Sequence, residues 1–124
     1  PTMCASVGQH IMFGLPGNPV SSLVSFEVFV RPALRRLQGD PHPHRPQVHV
    51  TLADPITPSP DRPEYQRAIV RWHDGQLVAS TTGPQGSSRL LSLRAANALL
   101  IIEPGTQPLA TGSQVEALLV GDVR

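Results

Sequence analysis

The stretch GLPGNPVSSL, residues 14–23, places two prolines, two glycines and an asparagine between an apolar run and a long aliphatic segment. The apolar run, residues 9–15, is predicted to form a short buried strand. Asn18 suits the N-cap of a helix, because its side chain accepts a hydrogen bond from a free backbone N–H. Pro19 suits the first helical position, where its missing N–H costs nothing. The stretch therefore predicts a strand–turn–helix.

The helix predicted after Pro19 is apolar on nearly every side. Pro32 lies inside it, so a kink or break is expected near Val28–Arg31, and Gly39 is a plausible stop. One strand and one helix cannot bury such a surface, so we expect a missing N-terminal part or a partner chain to cover it. The main apolar stripe comprises Val20, Leu23, Val24, Val28, Ala33, Leu34 and Leu37.

Everything after the proline-rich segment GDPHPHRPQ (39–47) is predicted as short strands. Val48, Val50 and Leu52 alternate on one face of the first. Asp74-Gly75 is the dipeptide that a type I′ hairpin turn prefers. The apolar segments ALLIIE (98–103) and QVEALLV (114–120) follow, and SLRAANA is expected to form a helical turn before them.

This pattern predicts a mainly β fold, with a small closed or half-closed β-barrel at the C-terminal end preceded by the strand–turn–helix. The predicted organisation is a strand-helix piece over residues 1–39, a linker over residues 40–47 and a barrel domain over residues 48–124.

Composition excludes several functional classes. The 124 residues carry a formal net charge of +1, with scattered arginines, no lysine and few aromatic residues, so nucleic-acid binding is not supported. The single cysteine, Cys4, cannot form an internal disulfide, and no apolar run approaches the ~20 residues of a membrane span. We therefore expect a cytoplasmic protein with no membrane partner. Because the chain begins at Pro1, we also expect a piece of a longer protein.

The turn before the helix is the first candidate binding site. Free N–H groups at a helix start attract anions, and hydroxyl groups in the first helical turn add donors. The alternative is a tight turn that only packs a helix on a strand, and the residues alone favour that alternative. The candidate residues are Pro16, Gly17, Asn18, Pro19, Ser21 and Ser22.

The segment TTGPQGSSR, residues 81–89, is the second candidate. Gly83 and Gly86 let the backbone approach a ligand, Ser87 and Ser88 offer hydroxyl groups, and Arg89 offers a planar fork for an anion. Arg67, on a neighbouring predicted strand, is placed to face the same spot. The equally weighted alternative is a flexible hairpin loop with a solvated arginine.

No residue is assigned a catalytic or metal-binding role. His42, His44 and His49 lack a carboxylate or cysteine at ligand spacing, and Cys4 has no base beside it. A solvated acidic turn is the favoured interpretation of Asp54, Asp61 and Glu64, with cation binding as the alternative.

Several stretches together resemble one family. FGLPGNPVSSLVSFEVFVRPALRRLQG (13–39) resembles the signature of the molybdopterin molybdenumtransferases, the MoeA family, which includes the E domain of gephyrin. The second half resembles that family's C-terminal β-barrel domain in order and spacing, through EYQRA (64–68), TTGPQGSSRLLSL (81–93), ANALLIIEPGT (96–106) and VEALLV (115–120). Residues 1–12 do not follow the family pattern, and the absence of lysine is a further departure.

The resemblance implies a fragment of an enzyme that inserts molybdate into adenylylated molybdopterin, with release of AMP and help from Mg²⁺. Residues 1–39 would then be the end of an α/β molybdopterin-binding domain. Members act as homodimers, with the barrel of one subunit near the pterin domain of the other. Metal, molybdate and phosphate ligands would lie outside this chain, which alone would be inactive. Residues expected to reach the substrate are Arg67, Gln85, Gly86, Ser87 and Arg89, besides the turn residues.

Two other functions stay open from the residues. The barrel is compatible with a stand-alone binding module that engages a protein partner without catalysis. A small phosphate-binding hydrolase would need a nucleophile with an adjacent base, and the sequence offers no clear pair.

Overall fold

A computed structural model of the chain describes residues 2–15, 17, 19–81 and 95–123. Within them the chain forms two units, which divide between His44 and Arg45. The domain boundaries inferred from the sequence stay predictions.

The first unit begins with a β-hairpin. Strands β1 (Met3–Val7) and β2 (His10–Gly14) are antiparallel, with Met3 opposite Gly14 and Val7 opposite His10. The predicted strand over residues 9–15 is present as β2, whereas β1 was not predicted. The expectation that this strand is buried was wrong for this chain. Four of the five β2 residues are exposed, because the two-stranded sheet has no layer over either face among the residues described for this unit.

One interrupted helix follows in the same unit. Helix α1 (Pro19–Ser25) passes into a π-helical segment (Phe26–Val30) and then into helix α2 (Arg31–Leu37). The expected interruption is therefore present as a π-helical segment. Its cause is Pro32, which has no N–H to offer the carbonyl four residues earlier. The Arg31 N–H correspondingly reaches back five residues, to the Phe26 carbonyl.

Gly39 ends α2, as the sequence predicted. It has φ +86°, a conformation that glycine adopts without a steric penalty. The Gly39 N–H donates to the Arg36 carbonyl at 3.0 Å and the Asp40 N–H to the Arg35 carbonyl at 3.0 Å. These two bonds form a Schellman motif, which satisfies the last carbonyls of the helix.

Much of the apolar surface of this unit is exposed. Leu37 is 71% exposed, and Leu23 and Phe29 are about half exposed. The described residues of the unit therefore do not cover the helix, in line with the sequence argument that one strand and one helix cannot bury it.

The second unit is a closed five-stranded β-barrel with strand order β3-β5-β4-β6-β7. β3 pairs with β5 in parallel, and the other neighbours are antiparallel. The predicted mainly β fold with a small barrel is confirmed. The strands are β3 (Gln47–Leu52), β4 (Glu64–His73), β5 (Gln76–Thr81), β6 (Ala98–Ile102) and β7 (Gln114–Leu119).

Alternating side chains fill the barrel. Val50 and Leu52 of β3 face inward with Val48 packed beside them, which confirms the predicted alternation. From β6, Leu100 and Ile102 join the core, while Leu99 belongs to the opposite face of the strand. Other buried core residues are Ile56, Ala68, Val70, Ala79, Ala98 and Ala117.

The β4–β5 turn carries the predicted Asp74-Gly75 dipeptide, and both residues have positive φ, +50° and +77°. This is the backbone that a type I′ turn requires. We expect Gly75→Ala to lower the free energy of unfolding by about 1 kcal/mol, because a Cβ is strained at this φ. The matched control is Gly105→Ala, whose added Cβ would meet only Pro58 Cγ at 3.6 Å, without positive φ. If a urea titration shows the same loss of unfolding free energy in both variants, the positive φ at Gly75 is not what the turn requires.

Candidate functional site

The first group of candidate residues belongs to the turn between β2 and α1. Gly17 is an exposed bend, and the helix begins at Pro19, as predicted. Ser21 and Ser22 lie in the first turns of the helix and are half-buried. Pro16 and Asn18 lie outside the described residues, so the proposed N-cap and anion site stay predictions.

The second group centres on Arg67, in the middle of β4. Ala68 and Val70 of the same strand face the barrel core, so Arg67, which alternates with them, lies on the outer face. Its partner on β6 is Leu99. Arg67 is nevertheless only 2% exposed. Burial lowers the pKa of the Arg67 guanidinium from its ordinary value, because desolvation penalises the charged form. An arginine remains protonated at neutral pH despite such a shift, and its positive charge acts more strongly where water is excluded.

Strand register places Arg67 near the end of β5 and the start of β6, the strands that precede and follow residues 82–94. The next residue, Ala68, pairs with Thr81 at the end of β5 and with Ala98 at the start of β6. Gln85, Gly86, Ser87 and Arg89 are carried by that segment and lie outside the described residues. The register therefore brings Arg67 to the strand ends from which their segment leaves and to which it returns.

Asp54 holds the first of these two ends. Its carboxylate accepts hydrogen bonds from the Thr81 N–H at 3.2 Å and from the Thr81 Oγ1 hydroxyl at 3.5 Å. Glu64 similarly accepts from the Ser59 N–H at 3.0 Å. Asp54 and Glu64, interpreted above as part of a solvated turn or a cation site, thus accept hydrogen bonds from nearby backbone N–H groups.

Asn97 directly precedes β6 and stabilises the start of that strand. Its role was not predicted from the sequence. Its side chain is buried, 6% exposed. Asn97 Oδ1 accepts from the Val70 N–H at 2.7 Å, and Nδ2 donates to the Val70 carbonyl at 2.9 Å and to the Asp122 carbonyl at 2.9 Å. The only signal in the sequence is an amide side chain directly before the wholly apolar strand ALLII.

Asp40 binds the end of α2 to the following segment. Its carboxylate accepts from the His42 N–H at 2.8 Å and from Arg35 Nε at 2.9 Å. The His42 hydrogen bond, followed by that from Arg35, lowers the pKa of Asp40. His42 and His44 are exposed, which agrees with their interpretation as solvated linker residues.

A groove of about 380 Å³ lies on the wall of the barrel and is lined by His49, Ile101, Glu103, Leu109 and Glu116, among others. The Gln47 amide also donates to the Glu116 carboxylate. Across the described parts of the chain, no three His, Cys, Asp or Glu side chains lie close enough together to hold a metal ion. The helices described here are too short or too polar to cross a bilayer.

A family model described as the MoeA C-terminal region (domain IV) matches residues 49–120, which span β3 to β7. The chain belongs to this family. The family resemblance drawn from the sequence is therefore confirmed.

Relatives of this MoeA C-terminal region extend the match to the first unit. Gephyrin from Dictyostelium discoideum is 43% identical over 121 residues, 91% of this chain and 17% of the relative. Molybdopterin molybdenumtransferase 2 from Mycobacterium tuberculosis is 41% identical over 102 residues, 82% of this chain and 25% of the relative. A solved molybdenum cofactor biosynthesis protein from Pyrococcus furiosus superposes with TM-score 0.67 at 28% identity, covering 86% of this chain and 38% of that one.

The chain thus spans about a sixth to a quarter of the length of these two curated relatives. The Mycobacterium tuberculosis relative is named as a molybdopterin molybdenumtransferase and the Pyrococcus furiosus protein as a molybdenum cofactor biosynthesis protein, which is the class of function predicted from the sequence.

Proposed function

We propose that the chain is the C-terminal part of a molybdopterin molybdenumtransferase, which inserts molybdate into adenylylated molybdopterin and releases AMP. The family match and the names of the relatives support this proposal. The relatives' greater length supports a larger enzyme in which other segments carry the reacting groups. Exposed apolar surface on α1 and α2 is also typical of a surface that another element covers.

Arg67 is the main support for a substrate-binding region on the barrel. It is buried, charged and near the end of β5 and the start of β6, the strands that flank residues 82–94 in the chain. The substrate bears phosphate groups, and molybdate is an oxyanion, so a desolvated guanidinium complements either. Together with Arg67, we propose Gln85, Gly86, Ser87 and Arg89 as substrate contacts from the barrel unit, and Pro16, Gly17, Asn18, Pro19, Ser21 and Ser22 from the first unit.

Mg²⁺ and the assembly state complete the proposal. The described residues supply no cluster of metal-binding side chains. We therefore assign no Mg²⁺ ligand to this chain. Molybdate is a substrate of the proposed reaction. We further propose that the whole protein is a cytoplasmic homodimer.

The site assignment is tested with Arg67→Met and Ser87→Trp in the whole enzyme. Arg67→Met keeps an apolar stem of similar length and removes the charge, and we expect KM for adenylylated molybdopterin to rise at least about tenfold, the effect of losing one charge-assisted contact of roughly 1.5–3 kcal/mol. Ser87→Trp is expected to impair molybdate-dependent AMP release by filling space at the same segment. Gln47→Ala, an exposed change on β3, is the control. Unchanged turnover in both variants, with intact folding, would overturn the site.

The size of the native polypeptide separates this function from the stand-alone binding module. An antibody raised against the chain should detect, in source cells, a polypeptide several times heavier than 13.3 kDa. A band at 13.3 kDa would instead support a binding module and would end the transferase proposal for this chain.

A further inference from the structure

The side chain of Asn97 takes the place of a missing strand residue beside β4. β6 begins at Ala98, which pairs with Ala68, so β6 supplies no residue opposite Val70. The Asn97 carboxamide supplies an acceptor and a donor there, and both Val70 backbone groups on that side are satisfied, at 2.7 and 2.9 Å. A side-chain amide has the same donor and acceptor pair as a peptide group. The ladder between β4 and β6 is thereby extended by one rung.

The same residue fixes the backbone next to Arg67. The Asn97 N–H donates to the Ala68 carbonyl at 3.1 Å, so three hydrogen bonds from one residue hold residues 68–70. Arg67 directly precedes this held stretch and points to the outer face of the strand. The direction of its long side chain therefore depends on a backbone that Asn97 keeps in place.

The segment after β7 closes on Asn97 from its other side. The N–H groups of Val120 and Gly121 both donate to the Asn97 carbonyl, at 2.8 and 3.0 Å, and the second Nδ2 hydrogen reaches the Asp122 carbonyl. A Cβ on Gly121 would lie 3.4 Å from Asn97 Cβ. That distance is an ordinary van der Waals contact, so this clamp of residues 120–122 on Asn97 has room for a Cβ at 121, and only a larger side chain would crowd Asn97.

We propose that Asn97 is a positioning residue for Arg67, acting through the backbone of residues 68–70, with residues 120–122 holding Asn97 itself in place. This inference rests on the proposed function of Arg67 as a contact for the anionic substrate. Asn97 is buried and fully occupied by backbone partners, and it makes no contact with substrate in this scheme. Its effect is geometric, because a guanidinium whose backbone shifts aligns less well with the anionic group that it binds.

The test is a double-mutant cycle in the whole enzyme with Asn97→Ser and Arg67→Met, measuring kcat and KM for adenylylated molybdopterin well below the unfolding transition of each variant. Serine is too short to reach both Val70 groups. We expect Asn97→Ser alone to raise KM roughly fivefold to tenfold with little change in kcat, because a binding interaction is weakened. In the Arg67→Met background the same change should leave KM unaltered, since there is no guanidinium left to position.

A matched control separates positioning from general loss of stability. Ile56→Ala empties a core site whose backbone bonds are to Leu109 rather than to β4. It should lower the unfolding midpoint comparably and leave KM unchanged. Equal KM values in Asn97→Ser and Ile56→Ala, or a KM effect of Asn97→Ser that persists in full without Arg67, would overturn the inference.

A second variant covers the case in which Asn97→Ser does not fold. Gly121→Val places two Cγ atoms beyond a Cβ that would already touch Asn97 Cβ at 3.4 Å. It therefore crowds Asn97 while leaving its carboxamide intact, and it should raise KM as Asn97→Ser does. An unchanged KM in Gly121→Val would then count against the inference. If Arg67→Met itself leaves KM unchanged, the proposed function of Arg67 fails. If Arg67→Met raises KM and neither Asn97→Ser nor Gly121→Val does, only the positioning role fails.

Discussion

Asn97→Ala is expected to lower the free energy of unfolding of the barrel by about 3–5 kcal/mol. The change removes the partners of the buried Val70 N–H and carbonyl, and each buried polar group left without a partner costs about 1–3 kcal/mol. The Asp122 carbonyl loses a partner as well. Whole domains are stable by only about 5–15 kcal/mol, so this single change removes a large fraction of that stability.

Urea denaturation together with amide hydrogen exchange at Val70 measures this effect. Gln47→Ala is the matched control, because Gln47 also donates a side-chain amide hydrogen bond but is exposed on β3. Surface changes of that kind stay within about 0.5 kcal/mol. If both variants lose the same small amount of stability, the Asn97 carboxamide does not support β4 as described.

Leu100→Ala is expected to cost about 3–4 kcal/mol of barrel stability. Leu100 is 0% exposed in the middle of β6 and is among the largest fully buried side chains. Truncation removes its burial free energy and leaves a cavity that the surrounding strands fill only partly, with measured losses of about 2–5 kcal/mol for such changes. The barrel is closed, so its strands have little freedom to move inward.

The same truncation at Leu118 provides the comparison. Leu118 lies on β7, opposite Leu99, and is half-buried on the outer side of the wall. Leu118→Ala should therefore cost clearly less than Leu100→Ala in calorimetric or urea unfolding. A larger loss for Leu118→Ala would mean that the interior of the barrel is not where its stability resides.

Most of the fold could be predicted from residues close together in the sequence. Asp74-Gly75 predicted its turn because few dipeptides accept two positive φ angles. Gly39 predicted a helix end for the same steric reason, and Pro32 predicted an interruption because of its missing N–H. The alternation in β3 predicted which side chains face inward. Each of these depends on residues within a few positions of one another.

The rest depended on pairing between distant residues. No local pattern indicates that β3 lies parallel to β5, which closes the barrel. The burial of Arg67 on an outer face depends on what covers that face, and the importance of Asn97 depends on β6 starting two residues too late to pair with Val70. The apolar hairpin strand β2 was predicted as buried because apolar residues usually are, whereas its exposure follows from the lack of a layer over either face of the hairpin among the residues described for its unit.

Barrel closure has a consequence for how this unit is made on the ribosome. β7 pairs with β3, the first barrel strand, as well as with β6, so the ring cannot be completed until β7 has emerged from the exit tunnel. Until then β3 and β6 each expose unpaired backbone groups, which are templates for joining other nascent chains. Contacts between strands so far apart in the chain also form slowly. Premature translational arrest before Gln114 should therefore release an aggregation-prone chain, whereas arrest after the clamp at residues 120–122 should not.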